Sequence, residues 1–73
     1  MKDIYKEEMQ RVASKIRKLR ENKNFSQEYM AKKIGISQNA YSKIELGYSK
    51  IALDRLIHIS HILEIKATEL LEA

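Results

Sequence analysis

Apolar residues recur along this chain at helical rather than alternating spacing. Tyr5, Met9, Val12, Ile16 and Leu19 follow one another at intervals of four, three, four and three, which lines one face of a helix. Asp3 is placed to cap its start and Asn22 or Asn24 to end it, giving a helix of roughly twenty residues, about 30 Å long. Its outer face carries Arg11, Lys15, Arg17 and Lys18. A second helix is expected after Ser26, an N-cap residue flanked by Phe25 and Met30 at the spacing of a hydrophobic staple. Met30, Ala31 and Ile34 form its apolar side, and Gly35 stands where it must end in a left-handed residue. Ser37 caps a third helix with Ala40, Tyr41 and Ile44 inward, and Gly47 ends it by the same device. Leu53, Leu56, Ile57, Ser60 and Leu63, broadened by Ile59 and Ile62, predict a fourth helix, and Ile65, Leu70 and Leu71 a short fifth one. The expected fold is all-α, a compact five-helix bundle with a long first helix.

Composition narrows the function more than the fold. A chain of 73 residues accommodates one domain, 1–73, of which 1–12 extend the first helix. The absence of cysteine excludes disulfides, zinc–thiolate centres and cysteine nucleophiles. No apolar run approaches the length of a membrane span, and the charged start does not read as a signal peptide, so the expectation is a cytoplasmic protein with no membrane partner. The net charge of +4 is unevenly spread: residues 1–50 hold twelve Lys or Arg against six Asp or Glu, and residues 51–73 hold two against four. A basic front suits a polyanion, and an acidic back suits a different contact.

The stretch 26–46 carries the sharpest pattern. Counting from Gln27, a small residue stands fifth (Ala31) and glycine ninth (Gly35). Apolar residues stand fourth, eighth, tenth, fifteenth and eighteenth: Met30, Ile34, Ile36, Tyr41 and Ile44. Ala31 permits close approach of the next helix, Gly35 adopts positive φ without a Cβ penalty, and the apolar set fastens both helices to the core. A turn of about three residues makes the helices cross steeply. Such a helix-turn-helix, residues 26–46, places its second helix in a DNA major groove. On that helix the face opposite Tyr41 and Ile44 presents Gln38, Asn39, Ser42 and Lys43. Amide side chains pair with adenine and lysine reaches guanine, so these four are the candidates for base readout. Phosphate contacts should frame them: Gln27 at the start of the second helix, Ser37 at the start of the third, and Tyr48, Ser49 and Lys50 in the loop beyond. Leu46 reads equally as a thymine-methyl contact or as a simply exposed residue, and Lys32 and Lys33 are weaker phosphate candidates.

From Ile16 to Leu71 the chain resembles the helix-turn-helix domain of the phage-repressor (Cro/CI, XRE-like) family. The matching stretches are IRKLRENKNFSQEYMAKKIGIS, YSKIELG and LDRLIHISHILEI. The resemblance implies five helices, the second and third forming the DNA-reading pair, with Gln38, Asn39 and Lys43 facing bases. It implies that Gln27 touches phosphate and braces the first readout residue. It also implies a partly buried ion pair between Arg20 and Glu45 that ties helix one to helix three. Departures lie elsewhere: Ile51 replaces a common proline, Ala52 and Lys66 replace N-cap serines, and Glu64 replaces a frequent glycine.

Other chemistry is poorly supported. His58 and His61 share a face with Asp54 and Glu64, but the spacing is local and no remote ligand accompanies them, so no metal is expected. Neither a nucleophile motif nor a nucleotide-cradling glycine loop is present, so no enzymatic activity and no cofactor are expected. The wide apolar surface of the last two helices exceeds what one small core buries. Homodimerisation through Ile59, Ile62, Ile65 and Leu70, with Tyr5 and Met9 adding to it, is therefore expected. The reading is a sequence-specific double-stranded DNA-binding transcriptional regulator, a homodimer on a pseudo-palindromic operator. Its rival is an antitoxin-like module that binds a protein partner and regulates itself through DNA.

Overall fold

The computed structural model describes residues 2–72, with side-chain surroundings from Tyr5 onward. Among these residues the chain forms five helices and no strand: α1 (Lys2–Asn22), α2 (Gln27–Ile34), α3 (Gln38–Glu45), α4 (Leu53–Ile62) and α5 (Ala67–Leu71). No described helix is long and apolar enough to cross a membrane.

α1 begins at Lys2, so Asp3 lies inside the helix instead of capping it; no proline or glycine upstream of Asp3 would hold the start back to that residue. Over 21 residues it runs about 31 Å at 1.5 Å per residue. That nearly equals the longest dimension of the molecule, 35 Å. The other helices are too short to cover all of it. Val12 and Leu19 are half-buried and Ala13, Ile16 and Arg20 buried, whereas Tyr5 and Met9 project beyond the shared core.

Four helix ends use one device. Residues Asn24, Gly35, Gly47 and Glu64 all take positive φ, at 61°, 89°, 77° and 60°. After each, the next backbone N–H returns to a carbonyl five residues back: Phe25 to Arg20, Ile36 to Ala31, Tyr48 to Lys43 and Ile65 to Ser60. Ser26 and Ser37 cap α2 and α3, their hydroxyls accepting the N–H groups of Tyr29 and Ala40 at 3.0 and 3.1 Å. α4 follows Ala52, which supplies no side-chain cap. α5 starts at Lys66, whose N–H donates to the Glu69 carboxylate at 3.2 Å.

The core gathers Ile16, Met30, Ala31, Tyr41, Ile44, Leu56, Ile59, Leu63 and Leu70 around the meeting of all five helices. This corrects the expected dimer surface at two of its four positions. Ile59 and Leu70 are 0% exposed inside a single chain, and Ile62 and Ile65 are half-buried against the same core. The inward face of α4 is Leu56, Ile59 and Ser60, continued by Leu63 just beyond its end, because α4 packs on both α2 and α5. That rotation leaves Leu53 (72%) and Ile57 (42%) outside. Buried Ser60 is satisfied by donating to the Ile57 carbonyl at 2.6 Å.

Candidate nucleic-acid interface

α2 and α3 are joined by Gly35, Ile36 and Ser37 alone. Gly35 sits in open space, so its role is the left-handed turn and not close packing. Met30 and Ala31 of α2, with Tyr41, Ile44 and Glu45 of α3, are buried on the side the two helices share with the core. Along α3, Gln38, Asn39 and Lys43 are exposed and Ser42 is half-buried. The amphipathic period thus turns two amides and an ammonium outward from a helix whose other side is anchored. Leu46 follows them, 49% exposed.

The anchor is a polar cluster that joins α1, α2 and α3. Arg20 and Glu45 form a two-pronged ion pair, Nε to Oε2 at 2.6 Å and Nη2 to Oε1 at 3.1 Å. Arg20 Nη1 also donates to the Phe25 carbonyl at 2.8 Å, tying the α1–α2 turn into the same group. The Tyr41 hydroxyl, one turn before Glu45, donates to that carboxylate, and Gln27 Nε2 donates to it from α2 at 3.1 Å. Burial would raise the Glu45 carboxyl, but donors from Arg20, Tyr41 and Gln27 outweigh it and hold the carboxyl below the usual glutamate range. The same hydrogen bond to Glu45 raises Arg20, which stays charged. Burial, then the bond to Glu45, pushes the Tyr41 phenol far up, so it remains a donor. No buried side-chain polar atom among the described residues lacks a partner.

Gln27, expected at a phosphate, therefore spends one N–H inward, which leaves its second N–H and its carbonyl for other partners. Ser37 is exposed, and its hydroxyl oxygen is engaged as the α3 cap. Beyond Gly47, Tyr48 and Lys50 are exposed and Ser49 half-buried. Ser49 and Lys50 also edge an open apolar groove of about 500 Å³ whose walls include Tyr5, Met9, Val12, Ile51 and Leu56.

Two participants escape the sequence reading. Tyr41 was legible only as an apolar anchor, although its i, i+4 relation to Glu45 is the signal of a shared face. Gln10 has no such signal: it reaches the end of α3 from 36 residues away, donating to the Leu46 carbonyl at 3.2 Å.

The helix-turn-helix fold recurs in known proteins. A family model described as helix-turn-helix matches residues 16–70. An uncharacterized HTH-type transcriptional regulator, YqaE of Bacillus subtilis (strain 168), is 39% identical over 57 residues, covering 78% of this chain and 49% of that protein. The chain thus spans about half the length of that relative. The crystal structure of a hypothetical transcription factor NHTF from Neisseria matches with a TM-score of 0.80 at 30% identity, over 90% of this chain and 75% of that one.

Proposed function

The chain belongs to the helix-turn-helix family, of the phage-repressor (XRE-like) kind, and from that premise we propose that it is a sequence-specific, double-stranded DNA-binding transcriptional regulator. One observation carries the reading: α3 is fastened from behind by Tyr41, Ile44 and the Glu45 ion pair while Gln38, Asn39 and Lys43 face outward. In a major groove these groups read base edges, with Ser42 beside them. Gln27 and Ser37 on one flank, and Tyr48, Ser49 and Lys50 on the other, hold phosphates and set the register. The regulator acts as a homodimer, two copies reading half-sites about 34 Å apart on one side of the duplex. Its dimer surface is drawn from the apolar residues left outside the core, Leu53, Ile57 and Leu71 of the last two helices.

Selection from a random duplex pool at about 0.1 M salt tests this directly. The expected product is a pair of inverted half-sites centred about one helical turn apart, or a multiple of it. A pool with no enriched sequence overturns the reading.

A further inference from the structure

Gln10 stands outside the segment, 16–70, that the family model matches, yet its side chain reaches Leu46, the residue that ends the reading helix. The last carbonyls of a helix have no partner within it. Those of Lys43 and Ile44 are taken by the N–H groups of Tyr48 and Gly47, each at 3.0 Å. The carbonyl of Leu46 is met by Gln10 Nε2 at 3.2 Å. The approach needs glycine at 47, since a Cβ there would lie 2.6 Å from that same nitrogen. Gly47 thus supplies both the φ of +77° that ends α3 and the space into which Gln10 fits.

We infer that Gln10 is a positioning residue for DNA readout: the N-terminal extension of α1 steadies the carboxyl end of α3 through this amide and so sets where Gln38, Asn39 and Lys43 meet the duplex. The inference rests on the DNA-reading function proposed above. α3 is a rod of eight residues, about 12 Å long, held toward its carboxyl end by buried Tyr41, Ile44 and Glu45. A tilt of about 5° about one end displaces the other by about 1 Å over such a rod. Base contacts made in pairs require placement to about 0.5 Å. The contact is exposed, so water replaces it readily and its contribution to folding is small. Its consequence belongs to discrimination between sequences.

Gln10→Ala and the isosteric Gln10→Glu test this, the latter setting a carboxylate against the Leu46 carbonyl and the negative helix end. Gln10→Lys supplies a donor suited to that end. For each variant, three quantities are measured: Tm, the amide ¹⁵N shift of Gly47, and the affinity ratio between the selected duplex and random duplex at one salt concentration. The inference expects a moved Gly47 signal and a ratio lowered about five- to tenfold in the Ala and Glu variants. Tm should stay within about 2 °C of the parent, and the Lys variant should keep most of the ratio. An unchanged ratio in the Ala and Glu variants overturns the inference, as does a ratio that falls only in step with Tm. A parent protein that discriminates no duplex overturns the DNA-reading function itself, and that outcome is visible before any variant is made.

Discussion

Glu45 takes part in more hydrogen bonds than any other described side chain, accepting from Arg20, Tyr41 and Gln27. Removing a partner of a buried pair strands the remaining charge, so Arg20→Met should cost about 3–5 kcal/mol, measured by urea unfolding. Tyr41→Phe deletes one donor to a charged acceptor and should cost less, about 1.5–3 kcal/mol by the same measurement. Because the folded carboxyl of Glu45 lies below its ordinary value of 4.5, its contribution is complete above that pH and is lost as pH falls below it. Unfolding followed from pH 6 to 3 should therefore show an acid limb that is shallower in Glu45→Gln. On the outer face the effects concern DNA. Gln38→Ala should cost about 1–3 kcal/mol on the selected duplex and relax preference at one base pair. Lys50→Ala should weaken all duplexes alike and lower the salt slope by about one unit. Titrations over a range of salt separate the two.

Among the elements, α4 is the least well begun and the least comfortably ended. Ala52 offers its first N–H groups no acceptor, so Asp54 alone serves that turn, accepting from the Arg55 N–H at 2.8 Å, and Glu64 adopts at its end a left-handed conformation that Gly35 and Gly47 adopt freely. The helix forms regardless because Leu56, Ile59 and Leu63 bury completely or nearly so against neighbouring helices, and that burial outweighs a missing cap. Both flaws are open to repair. Ala52→Asp should stabilise by about 0.5–2 kcal/mol through a capping bond to the first turn. Glu64→Gly should raise Tm as well, relief of the backbone outweighing loss of an exposed ion pair with Lys23. Thermal unfolding of the two variants and their combination checks both, and additive gains are expected because the sites lie at opposite ends of α4.

For the whole molecule, the division between core and surface decides how copies meet. Ile59→Ala should destabilise the protein by about 2–5 kcal/mol in urea unfolding, through loss of a fully buried side chain, whatever the assembly state. The pair Leu53→Glu and Ile57→Glu changes only residues that a single chain leaves exposed. It should leave the helical signal intact, abolish the dimer in sedimentation at micromolar chain, and turn selected DNA into a half-site ligand. A parent protein that sediments as a monomer at every concentration overturns the homodimer.

Local chemistry alone located the five helices, the Gly35 turn and the row Gln38, Asn39 and Lys43, since caps, left-handed glycines and apolar periods act over three or four residues. Those signals needed no partner from elsewhere in the chain. The ion pair between Arg20 and Glu45 was legible only through resemblance, because no spacing along a chain brings residues 25 apart together. Packing alone determined which side of α4 turned inward: a helix with apolar residues on most of its circumference has several nearly equal faces, and α2 and α5 selected the one through Ile59. The inward turn of Gln27 and the reach of Gln10 to Leu46 belong to the same class. A polar side chain able to bond water or protein equally well takes its partner from whatever the folded chain sets beside it.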